Sequence, residues 1–337
     1  MEFKYHSYNL ELKHTFTISY GSRDFQPSLI LELIHDDFHG FGEAAATSYY
    51  GVSVEKMIDS INSVEKIVSE NIDKTPEEIW EICRPYLSAS SFAHCALDIA
   101  LHDLYARRKG QPLYKLWGLE NKDLPLTSYT IGMDSVEKMI KKIKEFPWPV
   151  YKIKLGTEND VEIVKELRKH TDALFRLDAN AAWSANQAID YSHELKDLGV
   201  EFLEQPLKPD DKKGMKELYE RSALPVIADE SCITEGDVEN CFPYFHGVNI
   251  KLTKCGGLTP ARRMIDKARE LGMKVMVGCM TESSVGVSAV AQLLPLLDYV
   301  DMDGPLLLKQ DIAEGVKIEN GKITYANRNG TGVVLNN

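Results

Sequence analysis

The sequence predicts an α/β protein: a (β/α)7β barrel of the TIM type, with an N-terminal α+β capping domain that the C-terminal tail completes. From about residue 126 onward, short β-branched or apolar runs alternate with amphipathic helical patterns. Polar or terminal residues near the ends of eight successive runs are 22 to 27 residues apart, about the length of one strand–helix unit. The chain before residue 126 has strand-like and helical patterns but lacks this period.

The N-terminal part reads as mixed α and β. Residues 28–34 are strand-like, and residues 36–42 are typical of a polar, glycine-containing turn. Apolar residues recur at helical spacing over residues 57–68. Residues 75–78 combine an N-cap threonine, a proline and a capping-box glutamate, which predicts a helix start. An Ala- and Leu-rich helix is expected over residues 92–108, because glycine and proline follow it.

Eight strands are predicted for the barrel, at residues 127–132, 150–156, 174–180, 200–206, 225–231, 247–253, 274–280 and 299–304. This number and spacing favour a closed barrel over the alternative, an open doubly wound sheet. After residue 304 the sequence leaves little room for a standard barrel helix. Residues 316–325 read instead as a hairpin around an Asn-Gly turn. The predicted division is a capping domain at 1–125, a barrel at 126–304, and a C-terminal segment at 305–337 that returns to the capping domain.

The composition excludes several classes of protein. Acidic residues outnumber basic ones by 51 to 39, and the net charge of −12 disfavours binding to nucleic acid and to anionic membranes. We expect neither export nor a membrane span, since the longest apolar stretch, residues 285–297, is too short for a bilayer. Six cysteines without a CxxC pair are typical of reduced thiols. A soluble cytoplasmic protein is expected, and its oligomeric state, a homo-oligomer included, stays open.

Three consecutive strands of the predicted barrel end in a carboxylate, at Asp178, Glu204 and Asp229. The C-terminal ends of barrel strands converge on one mouth, where three carboxylates would repel one another unless a cation lay between them. An all-oxygen ligand set favours Mg²⁺. The alternative is a structural ion pair for each acid, but equivalent positions in three successive units favour the metal site.

Lysines end the strands on either side of the three acids. Lys152 and Lys154 lie on one strand face, because side chains alternate with a period of two, and Lys251 ends the sixth strand, roughly opposite. A lysine near other positive charge can act as a base close to neutral pH. Two lysines on opposite faces permit removal and return of a proton α to a carboxylate, while Mg²⁺ and Lys152 stabilise the enediolate. This chemistry is racemisation or epimerisation.

These residues resemble the enolase superfamily, and specifically its muconate-lactonizing subgroup, whose pattern is a KxK strand, three acidic metal ligands and a lysine on the sixth strand. The resemblance extends to residues 96–104 and 110–113, which are similar to the family's capping-domain helix, and to residues 249–257, which are similar to its sixth strand. It implies that Asp178, Glu204 and Asp229 bind Mg²⁺, that Lys154 and Lys251 are the acid/base pair, and that Lys152 contacts the substrate carboxylate. This sequence does not match the branch of the superfamily that uses a histidine and acts on acid sugars.

The eighth strand distinguishes among the lysine enzymes of this subgroup. Asp301 and Asp303 place two carboxylates on one face, with a solvated loop pair as the alternative. The same Asp-x-Asp is similar to the dipeptide epimerases, in which it receives the substrate's N-terminal ammonium. Muconate cycloisomerases and o-succinylbenzoate synthases bind no ammonium.

The capping domain is expected to supply the specificity loops. Residues 19–23 resemble a segment of Ala-Glu epimerases in which an arginine meets the side-chain carboxylate of the second residue, although Arg23 as a surface charge is the alternative. Tyr50 would belong to a second flap, and Thr130 and Cys279 complete the expected substrate-binding set.

The resemblance implies a Mg²⁺-dependent dipeptide epimerase that inverts the α-carbon of the C-terminal residue of an Ala-Ala or Ala-Glu type dipeptide. An N-acylamino acid racemase, an o-succinylbenzoate synthase and a muconate cycloisomerase-like enzyme are alternatives in the same fold. A barrel that binds a small molecule without turnover is the alternative from another class.

Overall fold

The computed structural model describes residues 1–18 and 21–336. Its N-terminal part is a three-stranded antiparallel sheet in the order β1-β2-β3, covered on one side by helices. The strands are β1 (Glu2–Ile18), β2 (Gly21–His35) and β3 (Phe38–Ala45). The helices are α1 (Val54–Asn62), α2 (Glu65–Glu70), α3 (Pro76–Leu87), α4 (Ser91–Arg108) and α5 (Leu113–Leu116), preceded by a 3₁₀ turn at Ser48–Tyr50.

The sequence predicts α3 and α4 close to where they lie, but the third helical pattern forms two helices instead of one. Helix α3 begins with the predicted capping box, in which Thr75 and Glu78 cap each other's backbone N–H groups. The apolar pattern of residues 57–68 continues over both α1 and α2, but the helix itself breaks between them. The hydroxyl of Ser63 donates to the carbonyl of Ser60 there (2.6 Å), and such a side-chain bond competes with helical hydrogen bonding.

The predicted turn at residues 36–42 is too long. The chain turns at Asp36 and Asp37, and the following glycines belong to strand β3. A Cβ atom on Gly42 would lie 2.0 Å from the carbonyl oxygen of Ala96 in α4, so only glycine lets the strand pack this closely on the helix. Glycine in this run therefore marks close backbone approach.

The second part of the chain is an eight-stranded parallel sheet with its strands in sequence order. The strands are β4 (Tyr129–Ile131), β5 (Val150–Lys154), β6 (Leu174–Asp178), β7 (Val200–Glu204), β8 (Val226–Ala228), β9 (Gly247–Ile250), β10 (Lys274–Gly278) and β11 (Tyr299–Asp301). A parallel bridge between Thr127 and Val300 joins the two edges of the sheet, so the predicted barrel is confirmed and the open sheet is wrong.

The helices of this part of the chain lie outside the barrel sheet or at its C-terminal mouth. They are α6 (Val136–Glu145), α7 (Asp160–Arg168), α8 (Ala185–Leu195), α9 (Lys212–Arg221), α10 (Glu235–Cys241), α11 (Leu252–Cys255), α12 (Leu258–Glu270), α13 (Ser284–Ala291) and α14 (Gly304–Leu307), with 3₁₀ turns at Lys196–Leu198 and Leu294–Leu296. The main hydrophobic core lies between these helices and the sheet. Side chains alternate between the two faces of β5. Tyr151 and Ile153 therefore pack in this core, and Lys152 and Lys154 point into the barrel.

The tail adds four short strands, β12 (Ala313–Glu314), β13 (Lys317–Glu319), β14 (Lys322–Thr324) and β15 (Val334–Leu335). Strands β13 and β14 form the predicted hairpin around Asn320-Gly321, and β12 pairs with β15. Thr331 donates its backbone N–H to Asp103 of α4 (2.7 Å), so the tail contacts the N-terminal part. Within the described ranges, the helices are too short or too polar to cross a bilayer.

Candidate active site

The three carboxylates predicted as metal ligands meet at the C-terminal mouth of the barrel. Asp178 ends β6, Glu204 ends β7, and Asp229 directly follows β8. Asp178 is in register with Glu204 on the next strand, which explains how residues distant in sequence become neighbours. One oxygen from each of the three acids lies within 4.8 Å of the others, and all three side chains are buried.

This donor set fits a hard divalent cation such as Mg²⁺, which prefers carboxylate oxygen. Glu204 Oε1 accepts hydrogen bonds from Lys152 (2.9 Å) and from Asn249 (2.8 Å). Glu204 Oε2 is buried and receives no well-directed hydrogen bond from the residues described, although Lys152 Nζ lies 2.8 Å away. A buried carboxylate oxygen left in this state is available as a metal ligand.

Lysines lower the pKa of two of the three buried acids, Asp178 and Asp229. Burial raises the pKa of Asp178, but Lys154 and Lys152 outweigh it and lower that pKa to about 2. Burial likewise opposes ionisation of Asp229, and Lys251 with its neighbour Lys254 lowers the pKa of Asp229 well below its usual value. At Glu204, burial and the charge of Asp178 prevail and raise the pKa.

The two lysines predicted as acid and base lie on opposite walls of one cavity. Lys154 ends β5, the second barrel strand, and Lys251 directly follows β9, the sixth, so three strands lie between them in either direction around the barrel. Both line the cavity, with Lys154 Nζ 2.6 Å from Asp178 and Lys251 Nζ 2.8 Å from Asp229. Burial opposes the charged form of Lys251, but Asp229 outweighs it and raises the pKa of this lysine.

Lys152 occupies the centre of the charged cluster. Its Nζ lies 3.2 Å from Asp178 and 3.2 Å from Asp301, in addition to its contacts with Glu204. Although burial disfavours its charge, these carboxylates raise the pKa of Lys152 well above its usual value. A permanently charged lysine at this place can attract a substrate carboxylate.

Asp301 and Asp303 lie in the cavity wall and are not a solvated loop pair, since they are 5% and 3% exposed. Ser128 donates to Asp301 (3.1 Å), and the backbone N–H of Thr130 donates to Asp303 (2.6 Å). Burial and the neighbouring Asp301 raise the pKa of Asp303 to about 8, whereas Lys152 outweighs burial at Asp301 and lowers its pKa. A bound cationic group would therefore stabilise both carboxylates in their ionised forms.

The capping domain supplies another wall of the cavity. Arg23 lines the cavity, and its Nη2 donates to the hydroxyl of Thr281 (2.8 Å), while its buried Nε has no partner among the residues described. The guanidinium also lies over the ring of Phe16, 5.5 Å from the ring centre. Tyr50 and Cys279 line the same cavity. Of the predicted specificity segment, residues 19 and 20 lie outside the described residues.

Several residues of the site were missed by the sequence reasoning. Asn249 lies two positions before Lys251 on the same strand face, so alternation could have found it. Lys254 lies in α11 and donates to both the side chain and the backbone carbonyl of Asp229, a contact that strand periodicity cannot predict. Burial raises the pKa of Glu230, another residue of the cavity wall, to about 7.

Comparison with known proteins confirms the resemblance. Residues 2–118 match the N-terminal domain of the mandelate racemase / muconate lactonizing enzyme family, and residues 134–337 match the enolase C-terminal domain-like family. The chain is 58% identical to the L-Ala-D/L-amino acid epimerase of Flavobacterium johnsoniae over 328 residues, which are 97% of this chain and 98% of that protein.

The fold is also similar to solved structures of dipeptide epimerases. The substrate-liganded L-Ala-D/L-Glu epimerase from Bacillus subtilis superposes with a TM-score of 0.92 at 27% identity, over 99% of this chain and 98% of that one. The dipeptide epimerase from Enterococcus faecalis V583, complexed with Mg and the dipeptide L-Leu-L-Tyr, gives a TM-score of 0.90 at 29% identity over 98% of each chain. The chain therefore belongs to the enolase superfamily and, within it, to the dipeptide epimerase group of isomerases.

Proposed function

We propose that this protein is a Mg²⁺-dependent dipeptide epimerase that inverts the α-carbon of the C-terminal residue by 1,1-proton transfer between Lys154 and Lys251. The placement of these two lysines on opposite walls of a single cavity carries the proposal. The names of the three relatives reported above, which are all epimerases, support the reaction class.

Asp178, Glu204 and Asp229 would hold the metal ion. Held by these oxygens, Mg²⁺ would supply positive charge that weakens the pairing of the lysines with the three acids and offsets the negative charge of the substrate carboxylate. Lys152 places a second positive charge next to the substrate carboxylate. An α-proton becomes more acidic when the charge of the resulting enediolate is stabilised in this way.

The two lysines then divide the proton transfer. A neutral lysine on one wall removes the α-proton, and the protonated lysine on the opposite wall delivers a proton to the other face of the same carbon. In the reverse direction Lys154 and Lys251 exchange these roles. Placement four strands apart suits this task because a planar intermediate between the two walls presents one face to each lysine.

Asp301 and Asp303 would receive the α-ammonium of the dipeptide's N-terminal residue. Their burial and their proximity to each other favour a cationic partner, and a charge-assisted hydrogen bond is stronger than a neutral one. This recognition separates a dipeptide from an N-acylamino acid or a succinylbenzoate, which have no ammonium.

The C-terminal side chain would face Arg23 and Thr281, with Tyr50 and Cys279 nearby. The guanidinium favours an anionic or polar side chain, because its buried Nε has no partner among the described residues and an anion would offset the burial that lowers the pKa of Arg23. The wall is also compatible with a small side chain. We therefore propose substrates of the Ala-Glu and Ala-Ala type.

Hydrogen exchange in heavy water tests the proposal. A library of L-Ala-L-Xaa dipeptides incubated with the enzyme and Mg²⁺ should gain one deuterium at the C-terminal α-carbon as the epimer forms, a change that mass spectrometry and chiral chromatography follow. The N-acetylated form of each active dipeptide is the matched control and should react far more slowly, since it has no ammonium for Asp301 and Asp303. Absence of exchange across the library would contradict the assignment.

A further inference from the structure

A thin wall beside Asp303 separates the active-site cavity from a smaller cavity. Phe16, Thr130 and Leu307 line both cavities, so these three residues form the shared wall. The smaller cavity continues on the far side of the wall along Tyr129 and Gly132. The space behind the wall is therefore next to the substrate site but closed off from it by side chains.

The rest of the fold holds this wall in place. Phe16 lies in the β1–β2 hairpin, where it is in register with Arg23. The backbone N–H of Met133 donates to Thr17 of the hairpin (3.3 Å), and Lys13 donates to the carbonyl of Leu306 (2.9 Å). The hairpin is thus attached both to the end of the first barrel strand and to helix α14, which carries Leu307.

The wall lies next to the residues proposed to bind the ammonium. Asp303 is the N-cap of α14, Leu307 is the last residue of that helix, and the N–H of Thr130 donates to Asp303 (2.6 Å). In a dipeptide, the same carbon carries the α-ammonium and the side chain of the N-terminal residue. A dipeptide whose ammonium contacts Asp301 and Asp303 therefore has its N-terminal side chain close to this wall.

We propose that Phe16 and Leu307 determine the size of the N-terminal residue that the enzyme accepts. They leave room for alanine and other small side chains, and they exclude large apolar ones by occupying the space between the two cavities. Removing either side chain would open the smaller cavity, where Leu12 and Tyr129 offer buried surface and Lys13, His14, Thr15 and Lys142 form the polar side. This inference rests on the proposed function, because it assumes that the ammonium binds at Asp301 and Asp303.

The experiment compares L-Ala-L-Xaa with L-Leu-L-Xaa, using one C-terminal residue throughout because Arg23 contacts Phe16. We expect the wild type to prefer the alanyl dipeptide in kcat/KM by at least tenfold. Phe16→Ala and Leu307→Ala should each shift the leucyl-to-alanyl ratio toward leucine by roughly ten- to a hundredfold, the range that small differences of size in an apolar pocket produce. Phe25→Ala is the matched control, since Phe25 lies on the same hairpin, is 52% exposed and lines neither cavity.

Equal turnover of leucyl and alanyl dipeptides by the wild type would overturn the inference, as would an unchanged ratio in both wall variants. Thermal melting identifies a variant that fails to fold. In that case the substrate ratio of the other wall variant tests the inference. If the wild type exchanges alanyl dipeptides but neither wall variant changes the leucyl-to-alanyl ratio, only this inference fails. If it exchanges no dipeptide at all, the proposed function itself is wrong.

Discussion

Lys154 and Lys251 face each other across one cavity from the second and the sixth barrel strands, and each is paired with a different carboxylate, Asp178 or Asp229. Each lysine thus has a carboxylate partner of its own, and the two reach the cavity from opposite sides of the barrel. The proposed removal and return of a proton on opposite faces of one carbon needs two such groups, whereas a single base would need only one.

Loss of either lysine should stop epimerisation. We expect Lys154→Ala and Lys251→Ala each to lower kcat by a factor on the order of 10² to 10⁴, because each removes a proton-transfer group. Each variant should still exchange the α-proton of one epimer with solvent deuterium, and the two variants should differ in which epimer they exchange. Lys216→Ala on α9, an exposed lysine, is the control. Full turnover in both catalytic variants would contradict the two-base mechanism.

Binding of Mg²⁺ should stabilise the fold through the three carboxylates. A ligand present at 100 times its dissociation constant adds about 2.7 kcal/mol to the free energy of unfolding. Thermal melting with Mg²⁺ and with EDTA should show this difference for the wild type and a much smaller one for Glu204→Gln. Asp190→Asn, on an exposed part of α8, should behave as the wild type. Equal stabilisation of Glu204→Gln would remove Glu204 from the metal site.

Replacement of Asp303 should impair recognition of the ammonium. A hydrogen bond to a charged group contributes about 1.5 to 3 kcal/mol, so Asp303→Asn should lower kcat/KM for a dipeptide roughly 10- to 150-fold. The residual activity toward the N-acetylated dipeptide should stay nearly constant, because this substrate makes no such bond. An equal loss for both substrates would show instead that Asp303 acts on the fold of the site.

Replacement of Arg23 should change the preference for the C-terminal residue. Arg23→Gln retains a hydrogen-bond donor toward Thr281 but loses the positive charge. We expect the ratio of kcat/KM for L-Ala-L-Glu to that for L-Ala-L-Ala to fall by about tenfold or more, in keeping with one lost charged hydrogen bond. A steady-state comparison of the two dipeptides measures this ratio. An unchanged ratio would mean that Arg23 does not contact the substrate side chain.

His94 should make the fold sensitive to acid. Burial lowers the pKa of His94 from 6.5 to about 4, so the unfolded chain binds this proton first as the pH falls. The stability that the neutral His94 contributes is complete above pH 6.5, falls progressively as the pH drops from 6.5 toward 4, and is fully lost below 4. Between pH 7 and 4.5 the free energy of unfolding should fall by about 2 to 3 kcal/mol more in the wild type than in His94→Phe. Urea unfolding without metal at both pH values measures this; equal losses in the two proteins would contradict it.

Much of the site follows from local regularities that a sequence shows directly. The strand–helix period places Asp178, Glu204 and Asp229 at equivalent strand ends, and parallel strands in one barrel bring such ends together. Alternation along a strand predicts that Lys152 and Lys154 share a face. These rules depend on backbone geometry alone, so they hold whatever the remaining residues are.

Other features depend on which elements pack together, and only the tertiary structure decides them. The glycines of β3 resemble turn residues until α4 is seen to lie against them, and Lys254 of α11 acquires its role only because the helix brings it to Asp229. The wall of Phe16 and Leu307 joins residues from opposite ends of the chain. No periodic rule relates such positions, because their contact arises from the docking of one domain on the other.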